Sequence, residues 1–420
     1  MSLPRGWAGP LVTGLWLLTR VVLLVVALNP RLYSAGVFGD VTAYGAKVER
    51  MFQGELAYRD VAIEYPPGSV PFTVIPGVLV GTGAGYRRAF AIEMVLVDAL
   101  GLYAAGRLAR TVDRGRQRIR LAYVLAMVVI GPLLLLRFDA VPAVCVLLAA
   151  MFAAEGRAGP AAAALGYGTA AKIYPAVLAP LLVLGLAPAL GWWRALRRTA
   201  PPFLAAFGLT VVPALLISAS GVVGSALLYH VRRGVQLESL WANLVELAHL
   251  AAHLPVSVVA RFGAYDVQSS ISAALKTLSG VATLVAVAAA AWLVWRRSRA
   301  GGGLAPDEWA GAFTVGVFAF MLPTRVLSPQ YLIWLAAPMA ALAAWVEGRR
   351  ALWLLAAAAT LSQLIFPFRY TQLRHLHAFD IGLLTVRNLL LVAVCWLVVR
   401  AFAAAPDARA GAAAAAAGPT

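Results

Sequence analysis

The chain has 420 residues and a formal net charge of +17; 62% of it is hydrophobic and only 13% charged. A typical soluble domain carries roughly 25% charged residues, and no soluble fold of this size can hide so much apolar surface. These figures exclude a soluble globular enzyme, a disordered chain and a disulfide scaffold. What remains is a polytopic membrane protein that uses lipid as part of its solvent. The basic balance does not point to nucleic acid, because the cations are mostly arginines at the ends of apolar runs, where membrane proteins keep them.

A membrane span must be helical, since no water is present to satisfy its backbone. It needs roughly 20 apolar residues. The first apolar run begins near Leu11 and has no small-residue cleavage site after it, so it reads as a retained helix. Further runs follow near 69–83, 89–106, 121–136, 140–154, 160–171, 175–190, 202–220, 271–295, 308–322, 331–346, 351–366 and 381–399. Several are short and pair into tight hairpins. The run at 69–83 contains Pro71 and Pro76 and follows Pro66 and Pro67; it is expected to be re-entrant or interfacial. About twelve transmembrane helices are then expected in an all-α polytopic bundle with both termini in the cytoplasm. The arginine blocks at 107–120, 194–198, 296–299 and 349–350 set that orientation. Residues 1–402 read as one integral-membrane domain. The Ala-rich tail, 403–420, reads as disordered and cytoplasmic.

On this layout all five histidines and the polar hairpin turns face the extracytoplasmic side. Long extracytoplasmic stretches are expected at about 30–68, 221–270 and 367–380. Within the second, Leu240, Leu244 and Leu247 recur at helical spacing, as in an amphipathic helix lying in the interface.

The candidate chemistry lies in these turns and loops. Asp40 leads an amphipathic stretch with Val41, Tyr44 and Val48 on one face. A carboxylate beside a bilayer is costly to desolvate, which suits a general base for a sugar hydroxyl; a helix N-cap is the equally weighted alternative. Tyr58, Asp60, Glu64 and Tyr65 follow in the same loop. Lys172, one of three lysines in the chain, sits in a turn before Tyr174 and Pro175. An ionisable group at that depth reads as functional, suited to an anion such as a lipid-linked phosphate, against the alternative of a snorkelling lysine. Arg137 and Asp139 have the alternative of pairing with each other across their turn. His230, Arg232, Arg233, Gln236, Glu238 and Ser239 form a polar patch, explained by an anionic ligand or by a solvated loop. Arg325, Ser328, Gln330 and Tyr331 suit phosphate or sugar contacts, with a turn capped by Ser328 ahead of Pro329 as the other reading.

Other classes leave no trace. No dinucleotide fingerprint, Walker A loop, HExxH, nucleophile elbow or CxxC pair occurs. Asp40, Asp60 and Glu64 are too loosely spaced to favour a metal site, and no cofactor is expected. Cys145 and Cys395 both lie inside apolar runs.

Taken in order, Gly39-Asp40, Tyr44, Gly54, Tyr58, Asp60 and Tyr65-Pro66-Pro67 resemble the first extracytoplasmic loop of GT-C membrane glycosyltransferases. More narrowly, the chain resembles glycosyltransferase family eighty-seven, the polyprenyl-phosphate-sugar-dependent enzymes of actinobacteria. Arg137-Phe138-Asp139, Lys172-Ile173-Tyr174-Pro175, the segment Arg233 to Ser239, and Ser328 to Trp334 continuing to Pro338 match in the same order. The likeness runs from about residue 20 to 400.

The resemblance implies inverting transfer of a sugar, typically mannose and sometimes arabinofuranose, from a polyprenyl-phosphate donor to a glycolipid or glycan hydroxyl. It implies Asp40 as the base. The motif cations then suggest Lys172, with Arg233 or Arg325, at the leaving phosphate. Tyr44, Tyr58, Asp60, Glu64, Tyr65, Asp139, Tyr174, Gln236, Glu238, Ser328, Gln330 and Tyr331 would shape the substrate cleft. The competing expectation is a transporter or lipid-linked-sugar flippase, which needs polar groups near the bilayer midplane. An O-antigen-ligase-like enzyme is a further option.

Overall fold

The computed structural model describes residues 8–33, 39–112 and 116–404. The chain is a polytopic helical membrane protein. Helices α1 (Ala8–Leu28), α2 (Gly39–Phe52), α3 (Val70–Val80), α4 (Tyr86–Val112), α5 (Arg116–Ile130), α6 (Leu133–Leu136), α7 (Ala140–Ala154), α8 (Ala158–Ala171), α9 (Leu178–Leu190) and α10 (Trp192–Gly221) form the first half. After them come α11 (Tyr229–Arg232), α12 (Leu240–Ala252), α13 (Ser272–Gly301), α14 (Trp309–Met321), α15 (Leu332–Met339), α16 (Val346–Gln363), α17 (Tyr370–Arg374) and α18 (Ala378–Ala404).

Among the described residues, six helical stretches are long and apolar enough to cross a membrane: Gly9–Leu28, Tyr86–Val112, Trp192–Arg232, Ser272–Gly301, Val346–Arg374 and Ala378–Ala404. Shorter apolar helices at Pro67–Val80, Ala140–Ala154, Tyr174–Leu190, Trp309–Met321 and Pro329–Ala344 complete the bundle. The short ones α7, α14 and α15 are buried almost all round. Protein shields them on every side, so they need no full-length lipid-facing stripe. Most of the tail expected to be disordered, from residue 405 on, lies outside the described residues.

The bundle has two chemically different ends. At one, Arg107 pairs with Glu155 at 2.8 Å, Arg120 donates to Thr13 Oγ1 at 2.9 Å, and Arg297 pairs with Glu308. At the other, Arg87 donates to the carbonyls of Ala27 and Tyr33, each at 2.7 Å, tying the start of α4 to the end of α1. Helix α3 has 11 residues, about 16 Å at 1.5 Å per residue, against about 30 Å of hydrocarbon. It leaves and returns at this second end, where Tyr86 at the head of α4 donates to the Thr73 carbonyl at 2.7 Å.

Gly68, just before α3, holds the first loop on the end of α8. A Cβ there would stand 2.6 Å from the Ala170 carbonyl carbon and 2.8 Å from the Ala171 nitrogen. Only a residue without a side chain lets the loop backbone approach this closely.

The second long loop is not only a helix. Strands β1 (Val235–Gln236), β2 (Ser257–Arg261) and β3 (Ala264–Gln268) make an antiparallel sheet in the order β1-β3-β2, with Arg261 opposite Ala264. This sheet and α12 enclose a separate small core with Leu373 of α17 and Ile381 and Leu384 of α18. The fold is the all-α polytopic one expected from the sequence, and this one small sheet is a local addition within the loop. Its hairpin turn is Phe262–Gly263, both at positive φ (51° and 65°). A two-residue turn of this kind usually announces itself as Asn-Gly or Asp-Gly, and a phenylalanine in its place hides the signal. Helix α12 is capped by Ser239, whose side chain accepts from the Ala242 amide at 3.0 Å.

Candidate active site

The chemistry gathers where α8 ends. Lys172 breaks that helix in an extended conformation, and Pro175 starts the next turn. The lysine is buried, and its Nζ meets Asp139 Oδ1 at 2.6 Å. Four rings surround the ammonium: Tyr65 at 5.3 Å, Phe138 and Trp334 at 5.2 Å, and Tyr331 at 5.5 Å. A cation over ring faces is attracted by their quadrupoles. Trp334 Nε1 also donates to Asp139 Oδ1, at 2.7 Å. Burial pushes the Lys172 pKa down, and the neighbouring Asp139 carboxylate works against that shift.

Trp334 is the centre of a three-ring stack. Its ring lies 4.2 Å from Tyr174 at 10° and 3.8 Å from Tyr331 at 21°. Tyr44 and Tyr65 extend the aromatic wall through Phe138, with Tyr65–Phe138 centroids 4.6 Å apart. Burial pushes the phenols of Tyr44 and Tyr65 well up, so both are neutral.

Arg137 and Asp139 do not pair with each other. The Arg137 guanidinium pairs with Asp40 in the first turn of α2, and Asp139 pairs with Lys172. The result is two crossed ion pairs linking the first loop to the α6–α7 and α8–α9 turns. The Asp40 side chain is 35% exposed while Arg137 is buried. Asp40 is thus the more exposed member of its pair, and it does not itself line the adjoining cavity.

A cavity of about 430 Å³ opens beside this group. Lys172, His230, Arg233 and Arg325 line its polar part; Tyr174, Tyr331 and Trp334 line its aromatic part. Ile173, Leu284 of α13 and Phe320 of α14 give it an apolar side, with the hydroxyls of Ser279, Thr283 and Thr324 among them. Leu284 is 73% exposed and its α13 neighbours Val281 and Val285 are exposed too, so the cavity opens sideways onto the lipid-facing flank of α13. Arg233 is buried beside the cavity, and its Nε has no hydrogen-bond partner. His230 Nε2 lies 3.0 Å from the Glu64 carbonyl oxygen, which fastens the first loop over the cavity.

Other residues expected at a substrate cleft have different occupations. Gln236 and Glu238 are each 1% exposed. Gln236 accepts from the Leu327 amide at 3.1 Å and donates to Glu238 Oε2 at 3.1 Å; Glu238 lies 3.5 Å from Arg387. They serve the core of the sheet-bearing lobe and do not reach the cavity. Asp60 accepts from Arg59 and from the Leu56 amide at 2.9 Å, stapling its own turn. Glu64 pairs with Lys47. Tyr58 is buried and donates to the Tyr65 carbonyl at 2.7 Å. Ser328 and Gln330 are absent from the lining, and Ser328 makes no cap hydrogen bond ahead of Pro329.

Arg325 lines the cavity but spends donors on backbone: Nε to the Arg233 carbonyl at 3.1 Å and an Nη to the His230 carbonyl at 2.9 Å. It caps α11 and so places His230 and Arg233. Phe138 and Trp334, to which the motifs assign no role, are central to the site. Their signal is an aromatic beside each motif's charged residue.

This arrangement sits in a fold already known. The chain is similar to the crystal structure of ArnT from Cupriavidus metallidurans in the apo state, with 16% identity and a TM-score of 0.50, over 95% of this chain and 76% of that one. ArnT from the same organism bound to undecaprenyl phosphate gives 15% identity and a TM-score of 0.49, over 96% of this chain and 77% of that one. At 16% identity the likeness is one of fold alone: the chain shares the fold of that ArnT structure. No protein-family model matches the chain, and neither does any curated protein.

Proposed function

We propose that this protein is an inverting glycosyltransferase that takes a sugar from a polyprenyl-phosphate donor and attaches it to a hydroxyl of a glycolipid or cell-envelope glycan. The supporting observation is the two-sided cavity. Its cations, Lys172, Arg233 and Arg325, suit a phosphate, while its opening along α13 suits an isoprenoid chain. A lipid-borne donor needs both, whereas a nucleotide-borne one would need the cations but not the opening onto lipid. The ArnT fold and the undecaprenyl phosphate bound to that protein agree with this reading. The resemblance to family eighty-seven favours mannose as the sugar, the plasma membrane as the location and its extracytoplasmic face as the side of reaction.

In the reaction the acceptor oxygen attacks the anomeric carbon, and the bond from that carbon to the phosphate oxygen breaks. The hydroxyl proton passes to the Asp40 carboxylate. The electron pair leaves with the lipid phosphate, where Lys172 and Arg233 meet the growing charge in a site shielded from water. Arg137 orients Asp40, and the stack around Trp334 offers a flat apolar surface to a sugar face. The proposed step invokes no metal, since the fixed cations Lys172 and Arg233 can offset the charge on the leaving phosphate.

The test is to incubate membranes carrying the protein with radiolabelled polyprenyl-phosphate mannose and follow label into lipid and glycan fractions. Transfer that depends on Asp40 supports the reading. Translocation of intact donor across vesicles, with no bond broken, would establish a flippase in its place.

A further inference from the structure

A second groove, far from the reaction cavity, has the make-up of a lipid site. It measures about 340 Å³ and lies between α5 and α16. Leu121, Leu125 and Val129 of α5 face Leu352, Ala356 and Ala359 of α16. Both sets fall at three- or four-residue spacing, so each helix gives the groove one continuous apolar face. Trp353 at its edge is 75% exposed, as expected of a residue in lipid contact.

One end of this groove is charged. Arg118 and Arg349 both line it, one near the start of α5 and the other in the first turn of α16. The two helices run the same way, so both arginines stand at the end of the bundle that carries the arginine blocks. Arg118 forms no ion pair among the described residues. Among the described residues Arg349 reaches only the Ala343 and Trp345 carbonyls, at 3.5 and 3.4 Å. The neighbouring carboxylate, Glu347, is taken by Arg350 at 2.8 Å. At the apolar end Gln363 donates to the Ile130 carbonyl and closes the groove.

We infer that this groove binds an anionic phospholipid, its phosphodiester between Arg118 and Arg349 and one acyl chain along the α5–α16 seam. Basic pockets between membrane helices select anionic headgroups. A zwitterionic lipid fills the apolar seam equally well but gains little from two guanidinium groups that form no ion pair among the described residues. The site is independent of the proposed transfer reaction and lies at the opposite end of the bundle.

The experiment uses the full chain in nanodiscs of equal parts phosphatidylglycerol and phosphatidylcholine, with native mass spectrometry of the lipids retained. Two basic side chains near a surface give a preference of roughly thirtyfold for the anionic lipid. R118Q/R349Q is expected to bring the ratio close to one. R296Q/R299Q, at the same end but on α13 and outside the groove, is expected to keep it. A126W, which fills the groove with both arginines intact, is expected to lose retained phosphatidylglycerol. Thermal unfolding checks that each variant is folded, and the arginine pair decides alone if the tryptophan variant is not. Equal retention of the two lipids, or an unchanged ratio in R118Q/R349Q, overturns the inference. So does displacement by millimolar glycerol phosphate, which would make this a headgroup site without a chain.

Discussion

Asp139 and Lys172 are 33 residues apart in sequence and form a 2.6 Å ion pair in which neither side chain is more than 10% exposed. The pair joins two hairpin turns and stands in an aromatic box that also holds the carboxylate by a tryptophan N–H. Separating two such charges leaves one buried without a partner. That costs about 3–5 kcal/mol in a typical protein.

The first prediction follows from that pair. Lys172→Ala is expected to abolish donor use and also to lower the unfolding temperature, because Asp139 is stranded. Lys172→Ala/Asp139→Ala is expected to recover stability but not activity. Thermal unfolding in detergent and turnover of labelled donor separate the two effects. Normal donor affinity in the folded double variant would remove Lys172 from the phosphate site.

Asp40→Asn is expected to lower transfer by about 10²- to 10⁴-fold, the usual contribution of a general base, while expression stays intact. Arg137→Gln is expected to have a smaller effect, since it orients the base without touching substrate. The check is single-turnover kinetics with saturating donor. Near-normal rates in Asp40→Asn would exclude the carboxylate as base.

Stability is expected to fall as pH rises, through two glutamates of the sheet-bearing lobe. Burial pushes Glu238 up to about 7 and Glu246 up to about 8, from an ordinary 4.5, with Arg387 opposing at both. A carboxyl raised in the folded state stays protonated there after its unfolded counterpart has ionised. Its stabilisation is therefore complete below about pH 4.5 and is lost progressively up to about pH 8. Glu246→Gln is expected to flatten the decline in unfolding temperature between pH 5 and pH 8. An unaltered slope would place the titration elsewhere.

Trp334→Leu removes the middle ring of the stack and the second hydrogen bond to Asp139. The loss from deleting a buried tryptophan is about 3–5 kcal/mol, less whatever packing leucine restores. Turnover is expected to drop along with stability, and Trp334→Phe, which keeps a ring, to recover stability more than activity. Equal recovery of both would mean that the indole N–H has no role in the site.

Chelation is expected to leave transfer largely unchanged. The measurement is activity after dialysis against a strong chelator. Complete loss, restored by a divalent ion alone, would require a metal at the phosphate.

Much was legible in the sequence because membrane folding writes in one dimension. Apolar runs, arginine blocks and prolines at turns report the helices and their common polarity, since each helix satisfies its own backbone. Lys172 and Asp40 stood out for a related reason: ionisable side chains beside a bilayer are costly and therefore rare. Pairing was not legible. Arg137 is two residues from Asp139 yet meets Asp40, 97 positions earlier, because the choice depends on which turns the bundle brings to one end. Glu238 looked like its polar neighbours but is buried against Arg387 of α18, a partner 149 residues away. The sequence by itself decided that the chain lives in lipid, through its composition, and that its arginine blocks share one end, through their spacing between apolar runs. Only the tertiary structure decided which charge neutralises which, because buried ion pairs answer to distance in space and burial, neither of which is proportional to distance along the chain.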